Sequence, residues 1–520
     1  MTGEGTLSPV RPPSSMRPNA CPVRPLSGLA AMLGAPSAGP RAPLAAVTGI
    51  TIDSRQVRQG DLYVALPGTA AHGAEFAAAA VAGGAVAILT DPAGRATAVA
   101  TGVPVLVVPD PRAVLGRVAA WVYGRPAAGL LLLGVTGTSG KSTTTFLLEA
   151  GLRAAGHTTG LIGGVQIRAG ARTFPPGLTT PEASDLQGLL ALMREDGVTA
   201  AAMEVSSHAL ALGRVDGVSF DVALFTNLSQ DHLDFHSDLQ DYFLTKARLF
   251  TPEMCRLGVV NIDDEHGREL LGIAKVPMTT FSAAGAAEAD WRACDVRLGS
   301  DGSAFRVVGP GGVEADVSVA LPGPFNVANT LGALVALVEA GVPLQSAVHG
   351  VGTVTGVPGR MERVPGARGF QAIVDYSHKP GAVESVLRAL REVTSGSLTI
   401  VLGCGGDRDR GKRPMMGEAA ARLADVAVLT SDNPRSEDPL GILAAMVEGA
   451  LRVPQGERAH VVVEPDRAAA IDLAIGRAGP GDVVVVAGKG HEQGQYVGGE
   501  VLPFDDRQVV AEAIRRRDHL

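Results

Sequence analysis

"LLLGVTGTSGKSTTTFLLEA", residues 131–150, decides the fold. It reads as an apolar strand, a small glycine turn and the first turns of a helix. A glycine turn ahead of Gly140-Lys141-Ser142 lets backbone N–H groups converge on phosphate oxygens at the helix N-terminus. The lysine supplies charge and the hydroxyl can reach magnesium. The commoner phosphate loop requires glycine at position 135, where this chain has Val135. The loop is therefore of a shorter kind, formed by Gly137, Thr138, Ser139, Gly140, Lys141, Ser142 and Thr143, and it predicts a nucleotide site at the end of a strand.

Bulk properties narrow the class. A chain of 520 residues is too long for one core, and about 150 residues per domain suggests three or four, of which three are expected. Hydrophobic residues make up 46% and charged residues 19%, with Val, Ala and Leu runs recurring along the chain as α/β domains require. The formal charge of −8 and 4% aromatic content argue against a nucleic-acid partner. No apolar run is long enough to span a membrane. Cys21, Cys255, Cys294 and Cys404 are scattered, which suggests neither zinc nor disulfides and fits a reducing cytoplasm.

Along the chain, residues 1–43 are rich in Pro, Ser and Arg and read as a disordered extension. A small α/β unit follows over 44–123. The region 124–358 carries the phosphate loop, "AAMEVSSHAL", "VALFTNLSQDHLD" and "LPGPFNVANTLGALVALVEAG", each delivering polar residues from a strand or loop into a helix, as in a parallel sheet with its site at the strand ends. A third region, 359–520, repeats the alternation through "FQAIVDYSHKP", "LTIVLGCGGDRDRGKRP", "VAVLTSDNPRSEDP" and "DVVVVAGKGHE". No tandem repeat is visible. Read alone, the central region offers Lys141, Ser142, Glu204, Asp231, His232, Asp234, His236 and Lys246 around the loop, and oxygen ligands beside phosphates point to magnesium.

The set GTSGKSTT, MEVSSHAL, TNLSQDHLD, YFLTKARLF, LPGPFNVANT, PGRMERV and DYSHKP resembles the Mur ligases, the ATP-dependent amide-forming enzymes of peptidoglycan precursor synthesis. The resemblance runs from about residue 48 to the end, in the family's motif order. It implies an α/β protein of three domains: an N-terminal uridine-binding domain, a central parallel-sheet ATP-binding domain and a C-terminal Rossmann-like domain. Among Mur ligases, GCGGDRDRGKRP, DNPR and GKGHE are similar to the members that add diaminopimelate, the meso isomer foremost and LL open, to UDP-N-acetylmuramoyl-L-alanyl-D-glutamate. A lysine-adding relative, a folylpolyglutamate-type synthetase and a catalytically silent ATP-binding relative are the alternatives.

The resemblance also implies roles. Lys141 and Ser142 would hold phosphates and a magnesium ion, with Glu204 and His232 as further metal ligands and Lys246 carbamylated. Asn329, Arg360 and Asp375 would contact the nucleotide, Asp375 at the ribose. Ser54 and Thr69, Ala70 and Ala71 would meet the uridine end; Thr179, Thr180, Ser206 and Arg214 the muramoyl-dipeptide. Arg408, Asp432, Asn433, Pro434, Arg435, Gly488 and Glu492 would hold diaminopimelate. Two places depart from the family pattern: Leu212, where some members have glutamine, and DYSHKP, where Ser377 and Lys379 replace the commoner Ala and Thr. A monomer acting in the cytoplasm is the expectation.

Overall fold

The computed structural model describes residues 16–35, 45–299 and 301–518. Its frame is three sheets of four, eleven and six strands in chain order. In the first, Gly49–Thr51, Asp61–Ala65, Ala87–Thr90 and Val105–Val107 lie side by side and parallel.

In the second sheet the strand Leu131–Thr136 sits between Ala200–Glu204 and Phe220–Phe225, all parallel. The chain leaves Thr136, forms Thr159–Ile162 beyond Ala200–Glu204, and returns only later to the opposite side at Phe220–Phe225. Successive connections thus depart to opposite sides of Leu131–Thr136, and a crevice opens at its carboxyl end. Two layers bury the sheet. Leu147 and Leu148 of the helix Lys141–Ala154 and Leu334 and Val335 of Pro324–Glu339 cover one face. Leu186, Leu189 and Leu190 of Ala183–Glu195 cover the other. At the far edge, Trp291–Gly299, Gly302–Val308 and Glu314–Val319 form an antiparallel meander whose alternating burial marks a sheet covered on one face only.

The third sheet orders Gln371–Asp375, Val483–Ala487, Leu398–Leu402, Val426–Leu429 and His460–Val463 in parallel, with Glu362–Arg363 antiparallel at the edge. Val483–Ala487 is buried throughout, as expected of a strand covered on both faces. Because the strands are parallel, the segments after Asp375, Leu402, Leu429 and Ala487 all emerge at one edge.

The N-terminal segment differs from the sequence expectation. Within the supposed extension 1–43, Arg24–Pro25 pairs with Ala46–Val47 and Leu26–Leu33 is a helix. Leu26 and Leu29 are 0% exposed, and Arg17 Nη1 lies 2.7 Å from Asp61 Oδ2. The physical reason is local: Leu26, Leu29 and Leu33 recur at helical spacing, a pattern that the Pro/Ser/Arg average conceals. The remaining residues of that expectation, 1–15 and 36–43, lie outside the described residues. Among the described residues no helix is long and apolar enough to cross a membrane.

Candidate active site

The turn after Thr136 is shaped by two glycines in left-handed backbone, Gly137 at φ +143° and Gly140 at φ +88°. A Cβ on Gly137 would collide with Thr226 Oγ1, and one on Gly140 with Asn329 Oδ1. The turn is therefore closed over by neighbouring polar groups, and only glycine fits. The segment Thr226–Ser229 pins it: Thr226 Oγ1 donates to Ser139 O at 2.7 Å, Ser139 N donates to Asn227 Oδ1 at 2.9 Å, and Ser229 N donates to Thr138 Oγ1 at 3.0 Å. Ser142 and Thr143 are buried in the first helical turn. Lys141 folds back so that Nζ donates to Gly137 O at 2.9 Å and Thr138 O at 3.0 Å. Burial, then Lys379, pulls its ammonium down to about 8.

Lys246, 1% exposed, reaches the same turn from the helix Leu239–Ala247, its Nζ donating to Gly137 O at 2.9 Å. Burial and the neighbouring Lys141 and Lys379 push its amine well below the usual lysine range. Glu204 closes its strand beside the turn, buried, accepting from Gly164 N at 3.0 Å. His232 has φ +54° and its Nε2 sits 2.9 Å from Asp231 Oδ2; burial lowers its imidazole although Asp231 opposes this. Among the described residues no three His, Cys, Asp or Glu side chains gather as a metal cage. Ser142 and Glu204 offer hard oxygens, which suits magnesium, an ion that takes few protein ligands and completes its shell with water and substrate phosphates.

Arg360 lies over the Tyr376 ring, 4.1 Å from its centroid, and Nη2 donates to Ser142 Oγ at 3.2 Å. The third sheet thereby touches the phosphate turn. Asn329 packs on Gly140 and donates to Asn326 Oδ1 at 3.2 Å. Both Asp375 oxygens are engaged, accepting from Met361 N at 2.7 Å and Ser377 N at 2.8 Å.

A cleft of about 1430 Å³ opens between the central region and the loop edge of the third sheet, and reaches Ser229 and Lys379, both of which touch Thr138 of the turn. Thr179, Ser206, Arg214 and His232 line its central wall, and Arg408, Asp432, Asn433, Arg435, Gly488 and Glu492 line the other. Thr180 stands just behind, donating to Glu204 O at 2.8 Å and accepting from Ser206 N at 3.1 Å. Arg214 is held by Glu182, with Nε 3.0 Å from Oε1. Ser54 opens a short turn in the first sheet's region and Thr69, Ala70 and Ala71 form a loop there, none of them lining the cleft.

On the far wall, Pro434 precedes Arg435, which adopts φ +53°, donates its N–H to Tyr496 O at 2.9 Å and sends Nη1 to Gly406 O at 2.7 Å. Burial and the facing Arg408 lower its guanidinium, so two cations share this corner. Asp432 Oδ2 is buried without a hydrogen-bond partner. Burial and Asp432 raise the Glu492 carboxyl. The corner thus presents two guanidiniums, an unmatched carboxylate oxygen and a second carboxyl, a complement to a molecule bearing both carboxylates and an ammonium.

Two residues that hold this arrangement, Lys489 and Tyr496, escaped the sequence reading, and a third, Asp231, was read there only as an oxygen donor near the loop. Lys489, 0% exposed, donates to Asn433 Oδ1 at 2.8 Å and Gly494 O at 2.6 Å and lies 3.2 Å from Glu492 Oε2. Tyr496, on the hairpin formed by Gly494–Val497 and Glu500–Pro503, clamps Arg435. Asp231 pairs with Lys379 across the cleft at 2.6 Å. The lysine of GKGHE was visible as a letter, but only folding shows it turned inward.

Comparison with known proteins identifies the family. Residues 46–123 match the Mur ligase family catalytic domain, 135–337 the Mur ligase middle domain, and 359–490 the Mur ligase glutamate ligase domain. A UDP-N-acetylmuramoyl-L-alanyl-D-glutamate--2,6-diaminopimelate ligase of Streptomyces avermitilis is 59% identical over 97% of this chain and 99% of its own. A relative of the same name from Corynebacterium glutamicum is 47% identical, covering 91% and 92%. A solved structure bearing that enzyme name superposes with a TM-score of 0.64 at 34% identity, covering 92% of this chain and 97% of the other.

Proposed function

Because the chain belongs to the Mur ligase family, we propose that it is an ATP-dependent ligase adding diaminopimelate to the D-glutamyl γ-carboxylate of UDP-N-acetylmuramoyl-L-alanyl-D-glutamate. One observation carries the choice of acceptor: Arg408, Arg435 and the unpartnered Asp432 Oδ2 meet in a cleft that also reaches Ser229 and Lys379, the neighbours of the phosphate turn.

The backbone of the turn and Lys141 hold the ATP phosphates, and the γ-phosphoryl passes to the γ-carboxylate, releasing ADP. The acceptor amine then attacks the acyl carbon of the resulting acyl phosphate. The tetrahedral species sheds a proton and expels phosphate, leaving the amide. Positioning and charge neutralisation are what such a transfer needs from a protein. Ser142 and Glu204 suit a magnesium ion, which when bound would neutralise phosphate charge; His232 and a carbamate on Lys246 would complete that set. A carbamate forms only on a neutral amine, and burial beside two other ammonium groups favours the neutral form of Lys246. Arg214 and Ser206 would hold the dipeptide on the central wall, and Arg435 the distal carboxylate of diaminopimelate.

Phosphate release, measured with ATP and the nucleotide sugar across amino-acid acceptors, tests the reading. Release should require the nucleotide sugar and be fastest with a diaminopimelate isomer. Preference for lysine would refute the acceptor, and release without any acceptor would refute ligation.

A further inference from the structure

Lys379 belongs to the third sheet by sequence and to the phosphate turn by position. It ends the segment after Gln371–Asp375 and caps the helix Pro380–Val393. Yet its Nζ lies 2.6 Å from Asp231 Oδ2 and 3.5 Å from Thr138 O, both on the central region. The two side chains are 12% and 11% exposed. Lys141 donates to the same Thr138 carbonyl, and Lys246 to the neighbouring Gly137 carbonyl. Two ammonium groups and the buried Lys246 amine, from three separate elements, therefore converge on two consecutive carbonyls of the turn. Asp231 must serve both Lys379 and His232. Burial works against its ionisation, yet Lys379 and His232 hold its carboxyl far below the usual carboxylate range.

Such a cluster is costly without more negative charge, because like charges brought together in a water-poor site repel strongly. The ligand that relieves it carries several anionic oxygens at the mouth of the turn. Lys379 is also the cation that comes from the sheet holding the acceptor corner, so its presence depends on that sheet being docked.

We infer that Lys379 is a catalytic residue that exchanges Asp231 for the terminal phosphoryl group of the bound triphosphate and follows that group onto the acyl phosphate. The inference rests on the ligase reading and deepens it: phosphoryl transfer is tied to docking of the acceptor-binding sheet.

The test compares full-length wild type with Lys379→Met, Lys379→Arg and Asp231→Asn. A non-hydrolysable ATP analogue and ADP are titrated by calorimetry, and kcat is followed by phosphate release. Lys379→Met should lose on the order of tenfold or more in affinity for the triphosphate analogue while ADP binding is nearly unchanged, the loss expected for one charge-assisted hydrogen bond. Its kcat should fall by at least as much, and Lys379→Arg should recover part of both. Asp231→Asn frees the ammonium and should not weaken the triphosphate. Equal losses in Lys379→Met and Asp231→Asn would reduce the pair to a domain latch, and undiminished triphosphate affinity in Lys379→Met would also overturn the assignment. Absence of acceptor-dependent release in wild type would refute the ligase reading instead, while the comparison of triphosphate with diphosphate would still decide Lys379.

Discussion

Lys141 and Lys246 direct their amino groups at one acceptor, the Gly137 carbonyl, each at 2.9 Å. One lies at the start of the helix that the turn feeds, the other on Leu239–Ala247, more than a hundred residues later. Two like charges on one carbonyl favour loss of a proton from the more buried amine. The carbamate proposed on Lys246 would turn the repulsion into attraction.

Carbon dioxide should therefore matter. Enzyme prepared in CO₂-depleted buffer should lose activity and regain it on adding bicarbonate. Lys246→Ala should be inactive and partly rescued by short carboxylates, which supply anionic oxygens. Near-full activity in Lys246→Arg, which cannot be carbamylated, would exclude the carbamate.

Lys141 gives a pH limb. With its ammonium held at about 8, the charge needed for phosphate is present below that pH and lost above it. In CO₂-depleted enzyme, nucleotide affinity should decline as pH rises through about 8. A carbamate at Lys246 moves the limb upward, since a nearby anion favours the ammonium. Stability has the opposite slope: the folded value lies below the ordinary lysine value of about 10.4, so the unfolded chain binds more protons between them, and this group's contribution rises with pH across that window. Titrating nucleotide affinity with and without bicarbonate checks both the limb and its shift.

The N-terminal segment yields a stability prediction. Leu26 and Leu29 are fully buried, and the Asn19 and Ala20 N–H groups donate to Glu195 at 2.8 and 3.0 Å, tying the segment to the central region. Leu26→Ala should destabilise by about 2–5 kcal/mol, the usual cost of a large-to-small change in a packed core. Removing residues 1–35 should lower the melting temperature and expose Leu62 and Leu106 of the first sheet's core. A truncated protein that melts like the full chain would refute this.

That segment also marks where the sequence stopped being legible. The turn at Gly137–Ser142 was readable because its glycines, lysine and hydroxyl are local and contiguous. The four loops of the third sheet were readable because each follows an apolar run. What could not be read was orientation: Lys489 turned inward beneath Asn433, and Lys379 crossed to Asp231. Both depend on contacts between residues far apart in sequence, and composition averages over such contacts just as it hid the helix at Leu26–Leu33.

Arg435 should select the acceptor. Its backbone is held in left-handed conformation by the clamp of Tyr496 O and Gly498 N, so the guanidinium is aimed before substrate arrives. Arg435→Ala should lower kcat/KM for diaminopimelate by about 10- to 150-fold, the loss of a hydrogen bond to a charged group, and leave KM for ATP nearly unchanged. Arg435→Lys should recover little, because an ammonium cannot fork a carboxylate. Equal losses for lysine and diaminopimelate would remove Arg435 as selector.

Behind that corner, Arg467 and Asp506 form a fully buried pair, with Nε–Oδ1 at 2.8 Å and Nη2–Oδ2 at 2.7 Å. The guanidinium also donates to Ala487 O at 3.0 Å and Ser431 O at 3.3 Å, the residues just before Gly488 and Asp432. One side chain thus fixes the roots of two loops that line the cleft. Asp506→Ala should cost about 3–5 kcal/mol, since it strands a buried charge. Replacing both partners by apolar residues, Arg467→Met with Asp506→Leu, should recover much of that stability, because buried pairs are often replaceable by hydrophobic packing. It should not recover acceptor binding, since the two loop carbonyls still lack their donor. Urea unfolding and diaminopimelate KM, measured on the single and double variants, separate these effects. A double variant with wild-type KM would show that the loops hold their places without Arg467.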